Sequence, residues 1–292
     1  MNASVKRREL LGDSSGLAML FGQWYGRMLL SSRLWILPLN DAEMMEIRQL
    51  LLAHDEAVAV SSQPWGATWS NLETGLVNWV EEALAANPNL EIRGVELAGP
   101  SRFGGSDIDH HQYRGDDRSH PLSSLEQIAG LLGTPLTRWQ QLVAANDRGY
   151  IPAMRALGAT PSEIMAVRRY DRTAQGVTER DEKRAERDIA EASYFPDLVE
   201  VHCPDGSTSA HSDRLYEVAP QILLIDPNKW TYFGPRHSRL AGLELPEHNW
   251  TGGSPASGYW GIKKPSLASQ IKIRRALGGP FPASPDQSTG PR

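Results

Sequence analysis

The first hundred residues alternate short apolar runs with amphipathic segments. SRLWILPLN, residues 32–40, predicts a first strand over Arg33–Leu39. Asp41–His54 follows with Met44, Ile47, Leu50 and Leu51 at helical spacing. Ala57–Ser61, AVAVS, reads as a second strand. Asn71–Ala86 places Leu72, Leu76, Trp79, Val80 and Leu84 on one helical face, and Asn87-Pro88-Asn89 stops it. Ile92–Leu97, IRGVEL, is the third strand. Strand and helix in alternation predict an α/β fold, with a mostly parallel sheet and flanking helices.

Four helices follow by their start signals. Ser123 and Glu126 form a capping box ahead of Leu125, Ile128, Ala129 and Leu132, with Gly133 as the stop. The next runs from about Thr137 to Asn146, and Arg148-Gly149-Tyr150 ends it. Thr160-Pro161-Ser162-Glu163 opens a third, and Thr178 with Asp181 opens a charged fourth that runs to about Ala192. After Phe195-Pro196 the pattern changes: LVEVHC, QILLID and WTYFG are strand-like, and Gly and Pro rise through TGGSPASGYWG. The expected organisation is an α/β domain over 1–192, a smaller C-terminal β-rich subdomain over 193–264, and a flexible tail over 265–292. Residues 1 to about 30 read as an irregular arm or a short helix, and the last stretch, GGPFPASPDQSTGPR, as disordered.

Composition narrows the function classes. The formal net charge is -5, which gives no general attraction to nucleic acid or anionic membranes. The lone cysteine, Cys203, excludes an intrachain disulfide and suits a reducing compartment. Basic residues near the N-terminus lead into no long apolar stretch, and no window approaches a membrane span. A cytoplasmic protein is expected. Walker, G-x-G-x-x-G and G-x-S-x-G motifs are absent from the sequence.

The chemistry concentrates in GGSDIDHHQYRGDDRSH, residues 104–120. Asp107, Asp109, His110 and His111 combine carboxylates with imidazoles, the side chains that hold Mn, Fe, Zn or Mg. The segment follows the third predicted strand, and the carboxyl ends of strands are where open α/β sheets bind ligands. Asp116, Asp117 and His120 read instead as a surface turn leading into the capping box.

A strand followed by Asp109-His110-His111 resembles the signature of the DHH phosphoesterase superfamily. The helix from Ser123 to Leu132, and then Asp147 in VAANDRGYI, continue that resemblance, which covers about residues 92–150. It implies a divalent metal, manganese first, hydrolysing a phosphate ester or anhydride. It implies Asp109, His110 and Asp147 as metal ligands, with Asp107 a further candidate, and His111 facing the substrate phosphate. The family's two acids after the first strand have one counterpart here, Asp41 in Pro38-Leu39-Asn40-Asp41. Its acid after a middle strand is replaced by Ser61-Ser62-Gln63. The missing ligands then come from Glu96, Asp107 or elsewhere, and a metalloenzyme of another class acting on a small organic substrate, or a non-catalytic ligand-binding module, stays open.

Other polar positions complete the expected site. Arg148 is a candidate catalytic cation beside Asp147, or a partner for a helix end. Arg168 and Arg172, one helical turn apart beside Asp171, bind an anionic substrate or form an ion-pair network. Trp65 and Trp69 form a flat pocket wall or a hydrophobic plug, and Gly252-Gly253 offers backbone N–H groups to an anion. The expected partner is a small or nucleotide-like substrate, and a homodimer is compatible with the chain.

Overall fold

A computed structural model describes residues 32–113, 116–204, 208–254 and 257–278. The expected N-terminal arm and the expected disordered stretch from 279 onward lie outside these residues. The chain divides into two compact units, Met1–Gly176 and Val177–Arg292. The boundary falls before the charged helix Glu179–Ala190, so that helix groups with the C-terminal unit instead of the α/β one.

In the first unit, β1 (Arg33–Pro38), β2 (Ala57–Ser61), β3 (Glu91–Val95) and β4 (Ser106–Ile108) form a sheet in the order β2-β1-β3-β4. Every pairing in it is parallel. Helix α1 (Ala42–Ala53) carries the chain from β1 to β2, and α2 (Thr74–Ala86) from β2 to β3. Side chains alternate across a strand. Leu34 and Ile36 of β1 accordingly join Ala57, Ala59 and Ile92 in a core with Val77, Val80 and Ala83 of α2. Trp35 and Leu37, alternating with them along the strand, are equally buried.

The third strand holds a correction. It does not lead straight into the Asp-His-His segment: residues 96–105 loop out and return as β4, with Gly94 opposite Asp107 and Val95 opposite Ile108. Two glycines permit that close return. A Cβ on Gly105 would run into the Ile92 carbonyl, and one on Gly94 into the Trp69 ring and the Asp107 carboxylate. A three-residue strand is too short to leave a periodic signal.

After two minor strands, β5 (Gln112–Tyr113) and β6 (Asp116–Asp117), three helices follow: α3 (Ser124–Leu132), α4 (Arg138–Ala156) and α5 (Pro161–Ala174). Each opens with a capping box, from Ser123, Thr137 and Thr160. Helix α4 does not end at Asn146. It passes through a kink at Gly149 and Tyr150, the latter with φ 59° and ψ -149°, and resumes. Pro152 lacks the N–H that would bond one turn back, so the ladder is interrupted there.

The second unit begins with α6 (Glu179–Ala190) and holds a six-stranded sheet ordered β11-β12-β10-β9-β8-β7. Its strands are β7 (Ser193–Tyr194), β8 (Val199–His202), β9 (Ile222–Ile225), β10 (Lys229–Gly234), β11 (Asn249–Ser254) and β12 (Ser257–Lys263). Among the described residues only the β8–β9 pairing in this sheet is parallel, with α7 (Thr208–Leu215) between those strands. Helix α8 (His237–Ala241) follows β10. Within the span expected as a flexible tail, Leu267–Leu277 forms α9 and sends Ile273, Ala276 and Leu277 into a core with Tyr232 and Trp260. Cys203 is buried on another cluster, with Val199, Val201 and Leu224.

Candidate metal centre

Strand ends and helix starts of the first unit bring acids and histidines together. Asp41 caps α1, its carboxylate accepting from the Met44 N–H, and Glu43 lies in the first turn. Glu96 comes directly after β3 with φ 50°, a left-handed backbone that is strained for a side chain of this kind. His110 and His111 follow β4, and Asp147 lies in α4 just before the kink.

One donor atom each from Glu96, His110, His111 and Asp147 fall within 4.8 Å of one another. His110 Nε2 is 2.5 Å from Asp147 Oδ2, 3.3 Å from Glu96 Oε1 and 3.7 Å from Glu43 Oε2. His111 Nδ1 lies 3.7 Å from Glu96 Oε2 and 3.1 Å from Asp109 Oδ1. Two of these carboxylates are held in place: Ser124 donates its hydroxyl to Glu96 Oε1, the oxygen that also faces His110, and the Leu125 N–H donates to Glu43 Oε1.

The electrostatics are those of a crowded anionic pocket. Burial, then Asp147 and Glu96, push the Glu43 carboxyl well above its ordinary range, with His110 pulling against them. Asp41 is raised well too, by burial and then by Asp147 and Glu96. Burial would also raise Asp147, but His110 and His111 outweigh it and hold this carboxyl low. For His110, burial alone would favour the neutral ring, yet Asp147, Glu43 and Glu96 together push it up to about 12. His111 is raised as well, Asp109, Glu96 and Asp147 overcoming its burial.

These residues fit a divalent cation. Glu43 Oε2, His110 Nε2 and Asp147 Oδ2 are buried and face one another at ion-pair distances, without a well-directed hydrogen bond. Buried polar atoms are ordinarily in well-formed hydrogen bonds, and three such atoms converging on one point offer an ion the lone pairs it needs once the ring is neutral. A mixed nitrogen and oxygen set suits Mn, Fe or Zn, whereas Mg prefers oxygen and retained water.

The expected ligands divide. His110, His111 and Asp147 come together with Glu96. Asp107 and Asp109 stand outside the four-residue donor set, in a bracing role. Asp107 accepts from the Trp69 indole at 2.8 Å and pairs with Arg118 at 3.2 Å, and burial raises its carboxyl despite both. Asp109 Oδ1 accepts from the backbone N–H groups of His110 and His111 at 2.8 and 2.9 Å, which folds the turn that presents both rings. Arg118 locks this turn from behind, donating also to the Leu97 and Gly99 carbonyls.

The other candidates take separate positions. Arg148 pairs with Glu126 of the α3 capping box at 2.9 Å. Arg168 is buried, bonded to Asn146 and Asp171, the ion-pair alternative named for it. Arg172 lies in the last turn of α5. Trp69 is buried in the core and Trp65 is exposed, so the two rings do not form one wall. Gly252 and Gly253 lie on β11 of the second unit. Sequence reading missed Glu43 and Arg118. Glu43 was detectable as an acid on the apolar stripe of α1, four residues before Ile47 and seven before Leu50. Arg118 sits in a polar turn and leaves no comparable signal.

No family model and no curated protein matches the chain. Among solved structures it is similar to a DHH domain described as a member of a family of ribosomal proteins, at 12% identity and a TM-score of 0.47, over 88% of this chain and 91% of that one. It is similar to the exonuclease RecJ bound to manganese, at 12% identity and a TM-score of 0.37, over 84% and 89% of the two chains. It is also similar to RecJ from Thermus thermophilus in complex with magnesium, at 13% identity and a TM-score of 0.42. That match covers 89% of this chain and 52% of the other, so this chain spans about half of it.

Proposed function

We propose that the first unit is a metal-dependent hydrolase acting on a phosphate ester or anhydride, with Glu96, His110 and Asp147 holding the ion and Glu43 beside them. The observation that carries this reading is the convergence of three buried donor atoms, on Glu43, His110 and Asp147, that stand at ion-pair distances without a well-directed hydrogen bond. When bound, a divalent cation, manganese first, supplies Lewis-acid stabilisation and acidifies the attacking water. Clustered acids would otherwise repel an anionic substrate, so occupancy and substrate binding are coupled. His111 is the more open of the two histidines, its side chain 30% exposed against 8% for His110. Asp109 orients its Nδ1, and the ring can carry a proton to the leaving group. The resemblance of Asp109-His110-His111 to DHH phosphoesterases favours phosphoryl chemistry over other hydrolysis.

The test is metal content after manganese addition, together with a panel of phosphodiesters, phosphomonoesters and pyrophosphate. Wild type should bind metal and cleave one class; His110→Ala should lose both; His111→Ala should keep the metal and lose turnover. Wild-type protein that takes up no stoichiometric metal refutes the proposal.

A second reading has an observation of its own. Ser61, at the end of β2, is fully buried and accepts hydrogen bonds from Gln63. A strand end that carries an acid in DHH phosphoesterases is neutral here. An enzyme loaded with metal but inert across the whole phosphate panel would point to a small organic substrate.

A further inference from the structure

We propose that Arg168 is a positioning residue for the centre, holding the kink after Asp147 against the start of α1; the inference rests on the metal-centre reading above. Arg168 is buried at 7% exposure, a costly place for a guanidinium unless its donors are used. It donates to Asn146 Oδ1 at 2.9 Å, the residue before Asp147, and to Asp171 Oδ2 at 2.8 Å. The other oxygen of Asp171 accepts the backbone N–H of Ala42 at 3.1 Å, the residue before Glu43. One guanidinium thus ties together the two elements that carry Asp147 and Glu43.

The same group lies over the Tyr150 ring, 4.4 Å from its centroid. Tyr150 has φ 59° and ψ -149°, a strained region for an aromatic residue, which persists only where neighbours enforce it. The contact is what a cation–π pair offers: both hydrogen bonds leave from Nη1, and the flat guanidinium meets the ring face at the same time, which the compact ammonium of Lys does less well. Asp147 is three residues before this backbone break, so the direction of its carboxylate follows the kink.

The test is Arg168→Lys, with Arg169→Lys, an exposed neighbour, as the control. Circular dichroism and melting of metal-free protein check the fold. Mn2+ titration of Arg168→Lys should show affinity weakened about 10–100-fold, the range for outer partners of metal ligands. The control should match wild type. Cobalt substitution supplies a spectroscopic signature: the visible d–d bands should shift in Arg168→Lys and not in Arg169→Lys. A folded Arg168→Lys with wild-type affinity and bands overturns the positioning role. Should wild type itself bind no metal, the metal-centre reading falls, and the His110 ring 15N resonances of metal-free protein decide the tie. They should differ between wild type and Arg168→Lys, and identical resonances overturn it. If Arg168→Lys does not fold, Tyr150→Phe and Asn146→Ala take its place. Asn146→Ala should reproduce the loss of affinity and Tyr150→Phe, which keeps the ring face, should not; wild-type affinity in Asn146→Ala overturns the proposal.

Discussion

Glu43 shows how much a single buried acid can decide. It is 1% exposed, and its folded-state pKa is raised by burial, Asp147 and Glu96. A carboxyl raised on folding favours the fold at low pH and loses that advantage as pH climbs past the ordinary carboxyl range. Glu43→Gln keeps the acceptor for the Leu125 N–H and removes the charge. Metal-free Glu43→Gln should therefore melt higher than wild type, by a margin that widens with rising pH, while its Mn2+ affinity falls about tenfold. Melting curves of both proteins across a range from acid to mildly alkaline pH check the first part, and calorimetric titration the second. A wild type that melts higher than the variant at high pH contradicts the crowded-anion picture. Cys203 marks the opposite limit: burial pushes its thiol up to about 12, with Asp226 and Asp188 adding to the shift. Iodoacetamide at mildly alkaline pH should leave it unmodified in the native protein and label it in urea, which mass spectrometry reads directly.

Among elements, capped helix starts followed local chemistry and the short strand did not. The boxes at Ser123 and Thr160 are visible as residue types three apart, and both open helices where expected. Strand β4 escaped because its three residues are set by a pairing with β3 that only the glycines at 94 and 105 allow. Gly94→Ala would drive a methyl group into Trp69 and Asp107. It should cost about 1–3 kcal/mol, the range for overpacking, and displace the Asp-His-His turn. Urea unfolding measures the loss; an unchanged midpoint means β3 and β4 do not pack as described. The kink in α4 belongs to this scale as well. Gly149 and Pro152 mark a break in the sequence, and the helix resumes beyond it.

At the scale of the whole molecule, the two units provide an internal control for metal binding. Every residue of the centre lies in the first unit. Manganese at about a hundredfold excess over its dissociation constant should stabilise that unit by about 2.7 kcal/mol, and leave the second unit unmoved. Differential scanning calorimetry with and without EDTA should show one transition shifting and another fixed; a uniform shift of both, or of neither, counts against the assignment. Among the described residues no helix is long and apolar enough to cross a membrane. What the sequence determined by itself was the alternation of strand and helix, the capped helix starts, the β-rich C-terminal region and the singling out of His110, His111 and Asp147, which the fold brings together. Those depend on periodicity and on residues a few positions apart, which the chain displays directly. Tertiary structure alone decided that Glu43 and Glu96 face His110, that Asp107 and Asp109 brace the turn with Arg118, and that Arg168 spans two helices. Most of those contacts join residues far apart in sequence, and the burial that gives them their energies exists only once the sheet and its helices have packed.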